Sequence, residues 1–256
     1  MRSIRRSNPL IILILLNLNL FAQSYQIYKG DTINRRDKNG VKQGVWKRYY
    51  PNDSLFSESK FKNGKHIGSF KTYTKSGKLQ SDLKFRGMSE VSDATLYYED
   101  GRVEAKGKYI DKNKDSVWTY YDAQGKITAT ESYVNGAKDG EWKIYYTDGK
   151  VSQEVSYSNN VRNGSFKDYY DDGAKKTEAT MKNDDYDGLV NAYFPDGKIR
   201  MQGMYKNGVR EGKWKINKDT GELDHEDIYK NGTLTNPKPE KLDRFEDNPV
   251  NKEQEK

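Results

Sequence analysis

Few side chains in this sequence stand at the spacing that chemistry needs. The two histidines, His66 and His225, lie far apart, the first read as sitting in a loop between structural units and the second in a strand column of small residues; a metal or catalytic pair is not expected. "NDDYDG", from Asn183 to Gly188, opens like a calcium loop. The twelfth position is Phe194, however, where a bidentate glutamate must close the coordination. The acid pair Asp171-Asp172 precedes Gly173 and reads as a turn, not as a buried dyad with split pKa values. Cysteine is absent, which removes disulfides, thiolate ligands and a lipid-modified N-terminal cysteine. No glycine-rich phosphate loop follows a strand and opens a helix. The chain is therefore expected to be no enzyme and to hold no cofactor or metal. One candidate remains: Lys143, set between Trp142 and the pair Tyr145-Tyr146, could hook an anion such as a nucleic-acid phosphate with rings beside it for stacking.

Whether Lys143 is a hook depends on the element that carries it, and that element is a repeat. A period of 24 residues runs without insertion from Lys38 to Tyr229, giving eight copies. One column reads Trp46, Phe70, Ala94, Trp118, Trp142, Phe166, Val190, Trp214. A second reads Tyr49, Tyr73, Tyr97, Tyr121, Tyr145, Tyr169, Tyr193, Asn217, and a turn glycine recurs from Gly77 to Gly221. Each copy closes on a terminal residue that is aromatic in all but one, such as Phe61, Phe85 or Tyr109, with Met181 in the sixth. Within a copy, residues 44 to 50 and 55 to 61 alternate as strands around a turn that needs a positive φ, and "NG" pairs such as Asn63-Gly64 turn the chain into the next copy. The predicted fold is all-β, an elongated antiparallel β-meander of eight hairpin repeats.

The pattern "G-x-W-x-x-Y-Y-x-x-G-x-[LIV] … Y-x-N-G" resembles the MORN-repeat variant found in YwqK-type antitoxin repeat proteins, over about three quarters of the chain. The resemblance implies a meander and a scaffold, or an antitoxin or immunity role by capture of a toxin. The third repeat departs from it, with Met88, Ser92 and Ala94 in place of Gly, Gly and Trp, and the fourth has Lys112 and Ser116 for its glycines. Those repeats are expected to pair less regularly, the third being the weak link.

Closing the first hairpin with Tyr50 opposite Leu55 predicts a register. One face pairs Gly44 with Phe61, Trp46 with Ser59 and Arg48 with Ser57, the glycine leaving room for the terminal ring. The other face sets Lys47 against Glu58, Lys71 against Asp82, Lys143 against Glu154, Lys167 against Glu178 and Lys215 against Glu226. The remaining repeats set Thr95 against Lys106, Thr119 against Thr130 and Asn191 against Gln202. A stripe that neutralises each lysine locally is unsuited to phosphate binding, so Lys143 reads as a strand-pairing residue and nucleic acid is not an expected partner. Across the "NG" turns two registers, two residues apart, bury the same face. The column Tyr49, Tyr73, Tyr97, Tyr121, Tyr145, Tyr169 and Tyr193 lies on the polar face; read as an exposed ladder, it is the best partner-binding surface, or it covers lysine stems and shields the pleat.

Composition and ends complete the reading. Apolar residues make up 33% and charged residues 32%, too polar for a large core, yet 20 Tyr, 8 Phe and 4 Trp are too many rings for a solvated coil. Residues 1–22 resemble a cleaved secretory signal: Arg2, Arg5 and Arg6 precede the apolar run from Leu10 to Phe21, too short to span a bilayer, which needs about 20 residues. The formal charge of +7 falls once those three arginines are removed. Residues 23–37 are expected to form a capping hairpin, 38–229 the repeats, and 230–256 a last turn and disordered tail. The function expected is an exported scaffold, periplasmic or extracellular, for an unknown protein or envelope component, without a transmembrane segment. Adhesion to an anionic membrane or glycan surface is the further alternative.

Overall fold

The computed structural model describes residues 23–236. The proposed signal segment and the tail beyond residue 236 lie outside the described residues. Those described form 21 strands and no helix, every strand pairing being antiparallel. The chain divides into two compact units, the first ending at Asn113 and the second starting at Lys114.

In the first unit the strands are β1 (Ser24–Tyr28), β2 (Asp31–Arg36), β3 (Lys42–Tyr49), β4 (Leu55–Lys62), β5 (Lys65–Tyr73), β6 (Leu79–Phe85), β7 (Val91–Tyr97) and β8 (Val103–Ile110). Each pairs with the next, a meander. The β1–β2 hairpin is tied to β3 by the Asn34 amide, whose Nδ2 donates to the Lys47 carbonyl at 3.1 Å and whose Oδ1 accepts from the Lys47 amide at 2.9 Å. The second unit continues the same scheme from Lys114 to the short strand Thr233–Leu234. Its core gathers Val155, Phe166, Ala179, Met181, Val190 and Trp214.

The predicted hairpin register is present in all eight repeats. Lys47 pairs with Glu58, Lys71 with Asp82, Thr95 with Lys106, Thr119 with Thr130, Lys143 with Glu154, Lys167 with Glu178, Asn191 with Gln202 and Lys215 with Glu226. The pairing next to the turn differs by one residue from expectation. Tyr49, not Tyr50, faces Leu55, because Phe56 is an extra residue and shifts the ladder. The turn itself runs from Tyr50 to Ser54, closed by the Tyr50 amide on the Ser54 carbonyl at 2.8 Å. Its fourth residue, Asp53, has φ +68°, which explains why glycine fills that slot in the other repeats.

The register across the "NG" turns uses both alternatives. Beside the turn Lys62 pairs with Lys65 and Phe61 with His66; beyond a bulge Ser59 pairs with Phe70 and Glu58 with Lys71. Asn63 at φ +50° and Gly64 at +77° make the tight turn that a right-twisted hairpin favours. The bulge absorbs two residues at Gly68, at φ +71°, and this is what its glycine column is for. The expected ring clearance is not the reason at Gly44, where an added Cβ would meet nothing within 4 Å.

The third repeat corrects another expectation. Where it joins the second repeat, β6 and β7 pair without any irregularity, from Ser81 with Leu96 to Phe85 with Ser92, while its own hairpin keeps the usual shift beside the turn. Here the two surplus residues sit in a wider loop closed by the Arg86 amide on the Val91 carbonyl. Pairing is thus more regular here, and the spacing to the next hairpin is preserved. His66 is likewise corrected: it lies inside β5, not in a loop.

Candidate functional site

The polar face carries the residues singled out from the sequence. Tyr49, Tyr73, Tyr97, Tyr121, Tyr145, Tyr169 and Tyr193 are all half-buried, so the column is no exposed ladder. The reason is a bond pattern between repeats. Tyr73 donates its hydroxyl to Glu58 at 2.7 Å, Tyr169 to Glu154 at 3.1 Å, and Tyr193 to Glu178 at 3.2 Å. Tyr145 meets the Thr130 hydroxyl at 3.5 Å. Each reaches back to the preceding repeat. Tyr49, at the beginning of the array, instead stacks on Tyr28 with ring centroids 4.2 Å apart. The next residue along reaches forward: the hydroxyls of Tyr50, Tyr146 and Tyr170 donate to the carbonyls of Tyr73, Tyr169 and Tyr193 at 2.9, 2.6 and 2.8 Å. A Tyr-Tyr pair therefore bonds to both neighbours.

Electrostatics follow these contacts. Burial, then the Glu58 bond, pushes the Tyr73 phenol up to about 12. Burial and the adjoining glutamates also raise Tyr169 and Tyr193. Burial alone would raise Glu154, but bonds from Lys143 and Tyr169 and the charges of Lys143 and Lys167 hold it below its ordinary value.

The lysine–acid pairs share the predicted register but mostly not the predicted ion pair. Lys143 reaches Glu154 at 3.1 Å, and Lys167 of the next repeat reaches the same carboxylate at 3.5 Å. Lys47 turns to Asp31 at 3.7 Å, Glu178 is taken by Lys175 at 2.9 Å, and Glu226 by Lys213 at 2.8 Å. A lysine stem long enough to cross to its partner is long enough to reach alternative acids, and exposed pairs differ by too little to choose. Asp82 is buried with Oδ1 unbonded, since aspartate is one methylene shorter than the glutamates that tyrosines reach in other repeats.

The other sequence candidates have structural partners. His66 Nδ1 lies 2.6 Å from the Ser59 hydroxyl, and its ring stacks on Phe85 at 4.7 Å and 10°. Burial, then the Lys42 charge, lowers its pKa. His225 sits 2.6 Å from Asp224 and 3.5 Å from Asp227. Asp187, the acid of the calcium-like segment, caps the following turn through the Asn207 amide at 3.2 Å, as Asp139 does for Asn159. Asp172 accepts the Ala174 amide at 2.7 Å inside its turn. Among the described residues no group of three or more histidine or acidic side chains is arranged to hold a metal ion.

The apolar face stacks rings under cations. Trp142 lies between Tyr133 at 5.6 Å and Tyr157 at 4.9 Å, with Lys138 at 4.3 Å from its centroid. Trp214 lies between Tyr205 and Tyr229 at 5.1 and 6.2 Å, under Arg210 at 4.5 Å. Lys42 and Lys114 stand in the same way over Trp46 and Trp118. Such contacts contribute about 0.5–2 kcal/mol each. The sequence reading missed this cation column, although its period was visible at Lys42, Lys114, Lys138 and Arg210.

Strand pairing, turn chemistry and ring stacking all recur with the repeat. Four segments match the MORN repeat variant. They are residues 42–63, 138–159, 162–183 and 186–207. A match to this MORN repeat points to a scaffold for protein or membrane interactions. No curated protein matches the chain. Among solved structures, the crystal structure of TarM is similar over 36% of this chain and 20% of that one, at 11% identity and TM-score 0.28. A structure of the Photorhabdus luminescens Tc holotoxin pore is similar over 78% of this chain and 13% of that one, at 11% identity and TM-score 0.21. The chain spans a fifth or less of either, and no activity of theirs carries over to it.

Proposed function

We propose that the chain is an exported, non-enzymatic repeat scaffold that holds a protein or envelope component against its sheet faces. The observation that carries this reading is the repeat-to-repeat bonding of the tyrosines: Tyr73, Tyr169 and Tyr193 bond to acids of the preceding repeat. Side chains that a reaction centre would concentrate in one place are distributed along the array and engaged in holding it. Within each unit these bonds hold the strands so that the exposed side chains beside them can meet an extended partner. Export is motivated by Arg2, Arg5, Arg6 and the apolar run that follows. The same segment argues against a cytosolic antitoxin, and acids in register with lysines argue against adhesion to an anionic surface. Among the described residues no helix is long and apolar enough to cross a membrane.

The test is expression of the complete chain in its native host, fractionation, and photo-crosslinking from Ile144 and Arg48. The expected result is a periplasmic or extracellular product beginning near Gln23, joined to one defined envelope protein. A cytosolic product retaining residues 1–22, or turnover of any substrate lost in a single-residue variant, overturns it.

A further inference from the structure

The third repeat lacks its ring but keeps the two rings that would flank one. In the fifth and eighth repeats the tryptophan lies between the terminal ring of the preceding repeat and that of its own: Tyr133 and Tyr157 for Trp142, Tyr205 and Tyr229 for Trp214. The corresponding position here is Ala94, and the corresponding walls are Phe85 and Tyr109. Both rings line a cleft of about 350 Å³ together with Leu83, the cross-strand partner of Ala94, while Ala94 itself is buried. That volume lies at the small end of the range for small-molecule sites, about 300–1,000 Å³. The cation column changes at the same repeat: Glu90 stands where Lys42, Lys114, Lys138 and Arg210 stand over rings elsewhere. Glu90 and Lys112 both line the cleft, both are exposed, and no ion pair joins them. The cleft thus offers a largely apolar lining with one exposed negative and one exposed positive group.

We propose that this cleft binds a free aromatic amino acid, its ring beside Phe85 and Tyr109, its ammonium group at Glu90 and its carboxylate at Lys112. Three features specify that ligand. Phe85 and Tyr109 provide ring faces and edges to stack against. His66, stacked on Phe85 and bonded to Ser59, stiffens one wall, so the cleft is formed before a ligand arrives. The reversed charge at Glu90 removes the cation that would repel an ammonium group. An aliphatic amino acid would leave the ring faces uncovered, and an aromatic amine or acid would satisfy only one rim charge.

The test is isothermal titration calorimetry on the chain from Gln23 to Lys256 with L-tryptophan, L-tyrosine, L-leucine, tryptamine and indole-3-propionate. Saturable binding of L-tryptophan or L-tyrosine at one site per chain is expected, with the other three at least tenfold weaker. Ala94→Trp should abolish binding, because an indole at this buried position must push its cross-strand partner Leu83 into the cleft. Should that variant not fold, Glu90→Lys, on an exposed side chain, should weaken binding at least tenfold with the circular dichroism spectrum unchanged. No saturable binding of either aromatic amino acid, tryptamine binding as tightly as L-tryptophan, or unchanged binding in folded Ala94→Trp or Glu90→Lys overturns the proposal.

Discussion

Replacing Gly203 by alanine tests the ring stacking at its tightest point. A Cβ built on Gly203 would lie 2.1, 2.3 and 2.5 Å from Cδ2, Cε2 and Cγ of Trp214. To restore ordinary carbon contacts of about 3.5–4 Å the ring must retreat by roughly 1.5 Å. It has nowhere to go: Trp214 is fully buried, with Tyr205 and Tyr229 at its edges and Arg210 above. Overpacking of this kind costs about 1–3 kcal/mol. The ceiling is set by expulsion of the indole, about 200 Å² of burial or about 5 kcal/mol. We expect Gly203→Ala to lose about 2–4 kcal/mol in urea denaturation followed by circular dichroism and tryptophan fluorescence. A second substitution isolates the cause. Ser59 carries a Cβ opposite the smaller ring of Phe70, so Trp214→Phe should relieve the clash. The double variant should be more stable than the sum of the single losses predicts, by at least about 1 kcal/mol. Additive losses, or a cost for Gly203→Ala below about 0.5 kcal/mol, would refute the packing argument.

Two further outcomes follow from the polar face. Asp82→Glu should lengthen the acid enough for Tyr97 to bond to it, as Tyr73 bonds to Glu58, and raise stability by about 0.5–1.5 kcal/mol; Tyr97→Phe should erase that gain in the same denaturation assay. The Tyr73 phenol titrates at about 12 in the folded chain, above the ordinary tyrosine value near 10. The folded state therefore holds that proton more tightly. Its stabilisation is complete below pH about 10 and is lost as pH rises towards 12. After allowance for partial exposure this amounts to about 1 kcal/mol. Tyr73→Phe should accordingly flatten the stability profile across that window, and an unchanged alkaline slope would contradict the assignment.

The hairpins were legible in the sequence because side-chain alternation and turn residues act within one repeat. Lys143 opposite Glu154 could be read from a two-residue period and the glycine of the turn. What lay between repeats could not be read in the same way. Tyr73 bonds to Glu58 only because the bulge at Gly68 shifts the ladder by two residues, and a glycine in a strand does not announce whether it serves a bulge or a close approach. The lysine partners were illegible for another reason: several acids lie within reach of each flexible stem, and exposed pairs differ little in energy. Ala94 was legible as a missing ring but not as a cleft, because that requires Phe85 and Tyr109 to hold their places when the ring between them is gone.

The two surplus residues of each repeat have a further consequence. They can be housed in a kink at glycine, as at Gly68, or in a longer loop, as between Arg86 and Val91. A repeat that loses its glycine therefore need not change length, and its successor inherits an undisturbed phase. Divergence in one copy stays local, so an array of this kind can specialise a single position while its other members continue as plain support.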